Sequence, residues 1–217
     1  MLNIRILQWN FRSIRNKVNI LNCTLFFSPD ILVLQETCLR SDSYLDIPPK
    51  ILYRLDRCVR PGGGLLIAVN ASFSSSRLPD FFSSSGKEIM GIQFSVGSCY
   101  LNIVNVYSRS SNINDDLQAY FYSLQGPSLI LGDFNLHHQF WGAPGATRAS
   151  EVFPEWLNAN CFSIINTTEK VHMALNGLSI LLDLSLCSSA LFCRFDFRVE
   201  NSFGSDHFSF LSIPGLS

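Results

Sequence analysis

Charged residues make up only 15% of this 217-residue chain, and they nearly cancel, to a formal net charge of −1. So little charge, with 47% hydrophobic residues, excludes a disordered chain. The near-balance of sign excludes any bulk electrostatic attraction to nucleic acid, which would have to be met through a local basic patch or a metal ion. The seven cysteines, at positions 23, 38, 58, 99, 161, 187 and 193, contain no C-x-x-C pair. That spacing argues against a zinc site and a disulfide framework, and for reduced thiols in an intracellular compartment. Met1 is followed by Leu-Asn-Ile-Arg rather than by a basic start and a long apolar run, so neither a signal peptide nor a membrane partner is expected. The run Gly62-Gly63-Gly64 lacks a following Gly-Lys-Ser/Thr, which excludes a P-loop and leaves a hairpin turn as its reading. There is no internal repeat and no linker. What is abundant is apolar mass, including 18 Phe, enough to build one domain over residues 1–217.

Hydrophobic periodicity places strands at 4–10, 31–34, 51–58, 64–70, 89–96, 99–106, 128–133, 162–166, 182–187, 194–200 and 207–213. It places helices at 14–27, 114–124 and 149–160. The Ser/Phe-rich stretch Ser72 to Ser85 reads as a loop. Many strands with a few interspersed helices predict an α/β fold, a sandwich with sheets inside and helices outside.

Polar residues end the apolar runs in a recurring way. Asn10 closes the first strand and Glu36 the second; Asn105 and Tyr107 close the strand at 99–106. In Leu129-Ile130-Leu131-Gly132-Asp133-Phe134-Asn135, Gly132 is expected to let the backbone turn. Asp133 and Asn135 would then share a side if the extended geometry persists. Asp183 interrupts a leucine-rich strand, where a buried carboxylate is costly unless paired; the alternative is an edge strand with Asp183 facing water. Asp206-His207 opens the last strand. Glu36 has the alternative of a turn cap, and His207 that of a surface histidine. His137 and His138 read as loop residues following the Asp133–Asn135 pair, and His172 as a surface loop residue. Hard oxygen donors suit Mg²⁺, with Mn²⁺ as a substitute. A metal would also offset phosphate charge where few Lys or Arg lie nearby.

The ordered set Gln8-Trp9-Asn10, Leu34-Gln35-Glu36-Thr37, Asn105-Val106-Tyr107, Gly132-Asp133-Phe134-Asn135, Leu182-Asp183-Leu184 and Ser205-Asp206-His207 resembles the exonuclease–endonuclease–phosphatase family. Arg60-Pro61-Gly62-Gly63-Gly64 and the stretch from Gly132 to Gly142 sharpen the likeness, to the endonuclease domain of non-LTR (LINE-type, Jockey-like) retrotransposons. The resemblance implies a DNase I-like four-layer α/β/β/α sandwich of two mixed, mostly antiparallel sheets. It implies a Mg²⁺-dependent DNA endonuclease that nicks a target duplex and leaves a 3′-hydroxyl to prime reverse transcription, in the nucleus. Its partners would be DNA and the reverse transcriptase of a parent polyprotein, and the chain is expected to be a domain excised or left over from that longer protein. The resemblance assigns Glu36, with Asn10 and Asp206, to the metal, and Asp133 to the attacking water. Asn135, Tyr107 and His207 would serve the phosphate, with Asp183 holding His207. Arg60, Arg109 and Arg148 are loop candidates for DNA contact, each with the alternative of a solvated charge. Ile180 and Ser209 depart from the family pattern, which often has Ser or Thr and Pro there; neither position holds a catalytic group. Two competing functions are a phosphomonoesterase on the same fold and a catalytically inactive nucleic-acid-binding relic.

Overall fold

The computed structural model describes residues 2–15, 17, 19, 21, 28–57, 62–79, 81–82, 87–96, 99–109, 115–139, 145–165, 172–173, 179–180, 183–199 and 209–216. Among these, two mixed sheets lie face to face. The first has the strand order β14(Asp196–Val199), β15(Ser209–Leu216), β1(Leu2–Asn10), β2(Ile31–Gln35), β4(Leu65–Asn70), β3(Lys50–Leu55). The second runs β10(Phe162–Ile164), β13(Asp183–Ser188), β9(Ser128–Asp133), β8(Cys99–Tyr107), β7(Glu88–Val96), β5(Ser74–Arg77), with β6(Phe81–Phe82) also on β7. The β1–β2 and β8–β9 pairs are parallel and the rest antiparallel. β11(His172–Met173) and β12(Ser179–Ile180) form a small separate ladder, so His172 lies in a strand rather than a loop.

The layering follows from side-chain alternation. Ile4 and Ile6 of β1, Ile31 and Val33 of β2, and Leu65, Ile67 and Val69 of β4 face Met90, Ile92 and Phe94 of β7, Ile103 of β8, and Leu129 and Leu131 of β9. Each such side chain withdrawn from water contributes about 1.5–3 kcal/mol, enough to fix the register, since a one-residue slip would turn the whole row outward. The opposite face of the second sheet, with Val104, Val106, Ile130, Leu184 and Leu186, is covered by α1(Asp115–Ser123) and α2(Arg148–Ala159) through Leu117, Phe121, Phe153 and Leu157. The outer face of the first sheet, with Leu7, Trp9, Leu32, Leu34 and Leu66, is covered by Phe11, Ile14, Leu21, Leu39 and Ile47. The helix expected at 14–27 falls largely outside the described residues; within them, the Leu21 amide donates to the Lys17 carbonyl.

Two further expectations change. Ser74–Arg77 and Phe81–Phe82 of the supposed loop 72–85 are short strands on β7. Serine has little strand preference of its own, but the open edge of β7 supplies hydrogen-bond partners that local sequence cannot reveal. Gly132 does not turn the chain: it sits inside β9, and a β-carbon there would strike the Val106 carbonyl of β8. Its role is to let two parallel strands approach.

Candidate active site

The site arises from a gradient along the inner faces. In the second sheet the rung Ile92–Ile103–Leu129–Cys187 is apolar, and the next, Met90–Asn105–Leu131–Ser185, is mixed. The last, Glu88–Tyr107–Asp133–Asp183, is entirely polar. The first sheet changes in the same direction. Ile6 and Ile31 are followed by Gln8 and Val33, then by Asn10 and Gln35. Because β1 and β2, like β8 and β9, run parallel, the polar ends of four strands meet at one edge of the sandwich.

Asn10 is the junction. Its Nδ2 donates to Glu36 Oε1 at 3.0 Å and to Asp133 Oδ2 at 2.9 Å, joining carboxylates from opposite sheets. Asn10 is 1% exposed and Asp133 4%, so the hydrogen bond between them is made away from water, while the one to the half-buried Glu36 lies nearer the surface. The other oxygen of Asp133 accepts the Asn135 backbone N–H at 3.0 Å. Asn135 does not continue the strand: its φ is 50°, and its side-chain amide donates to the Ser108 carbonyl. A left-handed turn, and not extended alternation, brings Asn135 beside Asp133. Glu36 also adopts a left-handed conformation, φ 51°, which is uncommon outside glycine. The turn holds because the Ser13 amide donates to the Glu36 carbonyl at 2.7 Å and the Thr37 amide to the Gly64 carbonyl at 3.1 Å. Strain of this kind, on two polar residues at one edge, is characteristic of a functional site.

Asp183 is 2% exposed and lies directly opposite Asp133, in a strand flanked by β9 and β10. The edge-strand alternative is thereby removed. Two carboxylates on one antiparallel rung repel unless compensated. Asp206 and His207, the expected metal ligand and the expected partner of Asp183, lie outside the described residues. So does Arg60.

Tyr107 is 5% exposed, and its side chain is hydrogen-bonded to Arg109. Burial pushes its phenol up to about 12, helped by the negative charge of Glu36 and partly offset by Arg109. Tyr107 therefore stays a neutral O–H donor across the ordinary pH range. Arg109 is exposed at the rim, and the Tyr107 hydrogen bond raises its own pKa further. Arg148 is exposed on the first turn of α2, a helix start fastened to the neighbouring loop by Ser150, whose hydroxyl donates to the His137 carbonyl.

The donor set can be tested against a metal. Among the described residues, no three His, Cys, Asp or Glu side chains gather closely enough to make an all-protein cage. The half-buried Glu36 carboxylate, with Asn10 alongside, is a hard-oxygen set of the small size that Mg²⁺ accepts while keeping waters for a phosphate. The residues fit that ion, and among the described residues no cluster of thiolates or imidazoles offers a softer metal a site.

The sequence alone did not single out Glu88, Arg57, Gln35 or the role of Asn105. Gln35 Nε2 donates to Asn105 Oδ1 at 2.7 Å, and Asn105 Nδ2 donates to the Leu34 and Leu66 carbonyls at 2.9 and 3.1 Å. Asn105 is thus a tie between the sheets and not a phosphate ligand. Glu88 carried one signal, a carboxylate on the inward side of an apolar strand. The glycine run is more than a hairpin turn: Gly62, Gly63 and Gly64 all have positive φ, and the Gly63 and Gly64 carbonyls accept from Cys38 and Thr37, beside Glu36.

A family model described as endonuclease-reverse transcriptase matches residues 101–211. The RNA-directed DNA polymerase from mobile element jockey of Drosophila melanogaster is 22% identical over 189 residues, 85% of this chain; the chain spans 20% of that protein's length. The endonuclease domain of TRAS1, a telomere-specific non-LTR retrotransposon, superposes with a TM-score of 0.78 at 16% identity, covering 98% of each chain. The 3′ phosphatase NExo from Neisseria bound to a product DNA hairpin gives a TM-score of 0.69 at 18% identity, covering 97% of this chain and 98% of that one. The DNase I-like sandwich of two mixed sheets that the resemblance implies is therefore the fold observed, with the described helices on the outer face of the second sheet. Matched by that model over half its length, in a segment that carries Tyr107, Asp133 and Asp183 of the polar rung, the chain belongs to the endonuclease–reverse transcriptase family.

Proposed function

We propose that this chain is a metal-dependent DNA endonuclease domain that nicks one strand of a target duplex and leaves a 3′-hydroxyl for reverse transcription. The observation that carries the reading is the Asn10 amide held between Glu36 and Asp133, the latter on the polar rung that also presents Tyr107. A divalent cation at Glu36 and Asn10, with Asp206 as a further ligand, would supply positive charge toward the phosphate and the leaving 3′-oxygen. Asp133, fixed by donors on both oxygens, orients the attacking water and draws its proton. The second N–H of Asn135 and the Tyr107 hydroxyl donate to phosphate oxygens as charge builds there. Asp183 would hold the His207 ring and orient it toward the phosphate. Arg109 at the rim, with Arg60 and Arg148, meets the flanking phosphates. The parent protein would carry the reverse transcriptase, and the substrate would be chromosomal DNA in the nucleus.

Nicking of supercoiled plasmid in Mg²⁺ or Mn²⁺, compared with EDTA, tests this directly. Open-circle product is expected only with the metal, and Glu36→Gln should abolish it while the melting profile stays cooperative. Metal-dependent nicking that survives Glu36→Gln would overturn the site, and no nicking by the folded wild type would overturn the function.

A further inference from the structure

The polar rung has a fourth member with no role so far. Glu88 stands directly across from Tyr107, on the inner face of β7. One of its oxygens accepts the Gly64 N–H at 2.6 Å, and the other accepts from Arg57 Nε. The Arg57 side chain is only 8% exposed, yet its two terminal nitrogens are buried without hydrogen-bond partners. A buried guanidinium with idle donors is costly, and its placement calls for a compensating use. The use is visible in what it lies against. Its central carbon is 5.8 Å from the centre of the Tyr107 ring, the distance and partner of a cation–π contact. The glycine loop roofs this arrangement. A β-carbon on Gly63 would come within 2.6 Å of the Arg57 Cζ and 2.7 Å of Glu88 Oε1, and one on Gly62 within 2.5 Å of Arg109 Nη2. The Tyr107 ring therefore has Arg57 against it, while its hydroxyl is bonded to Arg109.

We propose that Arg57, held by Glu88 beneath the glycine loop, is a positioning residue that fixes the Tyr107 ring so that its hydroxyl meets the substrate phosphate. The idea rests on the nuclease reading of Tyr107. Lysine cannot replace the arginine, because one compact ammonium cannot both pair with Glu88 and lie flat against the ring. Glu88→Gln keeps the shape and removes the charge that anchors Arg57.

Two measurements test it, one of them independent of turnover. With ¹³C-labelled tyrosine, the Tyr107 ring resonance, assigned by its loss in Tyr107→Phe, should shift in Arg57→Lys and in Glu88→Gln. The resonances of the exposed Tyr44 and Tyr122 should stay in place. In plasmid nicking, Arg57→Lys should lower kcat by about 10-fold to 10²-fold, the scale of a misplaced group, with little change in KM. In the Tyr107→Phe background the same replacement should cost less than about threefold, because its effect has already been removed. An unmoved Tyr107 resonance, or losses that multiply fully in the double variant, would overturn the proposal. If Glu88→Gln fails to fold, Arg57→Lys carries both measurements. If the wild type does not nick DNA, the function fails on its own, and the Tyr107 resonance still decides the positioning.

Discussion

Replacing Asn10 by aspartate asks whether the site is a pair of carboxylates kept together by one amide. The Asn10 Nδ2 lies 3.0 Å from Glu36 Oε1 and 2.9 Å from Asp133 Oδ2. In Asn10→Asp an oxygen takes that place. Two unit charges about 3 Å apart repel by roughly 5 kcal/mol at an effective dielectric constant near 20, so the new carboxyl will not ionise between the other two. It takes up a proton instead. The cost at pH 7 is then about 4 kcal/mol, from 1.36 kcal/mol per unit over the roughly three units that separate pH 7 from an ordinary aspartate pKa. The sign follows from proton binding. A carboxyl whose folded pKa lies above its unfolded value binds protons in the folded state that the unfolded state has released, so stability falls as pH rises above about 4. For a chain of this size, 1 kcal/mol moves Tm by about 2–4 °C, so the variant should melt roughly 8–16 °C below the wild type at pH 7. At pH 5 the penalty shrinks to about 1.5 kcal/mol, or roughly 3–6 °C. Thermal melts of both proteins from pH 5 to 7.5 read this. Mg²⁺ should recover more Tm in the variant than in the wild type, because a cation relieves the crowding that the amide otherwise relieves. An equal Tm loss at pH 5 and pH 7.5 would refute the reasoning and leave only lost packing.

Three further outcomes are expected. Asp133→Ala should slow nicking by about 10²–10⁴-fold through loss of proton handling, and Asn135→Ala by a comparable factor through lost hydrogen bonding to the phosphate; losses below about tenfold in both would place the chemistry elsewhere. Since burial holds the Tyr107 phenol at about 12, the pH–rate profile should show no limb from its ionisation below pH 10, and a limb there that disappears in Tyr107→Phe would contradict this. Gly64 has φ +91°, and a β-carbon on it would stand 2.6 Å from Thr37 Oγ1. Gly64→Ala should therefore destabilise the fold by roughly 1–3 kcal/mol, read by denaturant titration.

Local chemistry made much of this molecule legible. Strands such as Ile31–Gln35 and Ser128–Asp133 are apolar runs closed by polar residues, and that pattern is written in adjacent positions. The motif residues Asn10, Glu36, Tyr107 and Asp133 could be picked out for the same reason. Other features depend on residues distant in sequence. Ser74–Arg77 is a strand only because β7 offers it an open edge. Gly132 reads as a turn until Val106 is found against it. Asn105 reads in sequence only as a polar residue closing a strand, but its hydrogen bonds to Gln35, Leu34 and Leu66 make it the fastening between sheets. Glu88 gained its meaning only when antiparallel pairing set it opposite Tyr107, with Arg57 and Gly64 brought to its two oxygens.

Which end of each strand is polar could be read from adjacent positions, but strands such as Ile31–Gln35 and Ser128–Asp133 are buried on both faces, so local sequence does not say which side chains face the other sheet. Which polar ends meet is set by long-range packing. That depends on the parallel β1–β2 and β8–β9 pairs and on the stacking of two sheets, which carry Asn10 of one sheet to within 2.9 Å of Asp133 in the other.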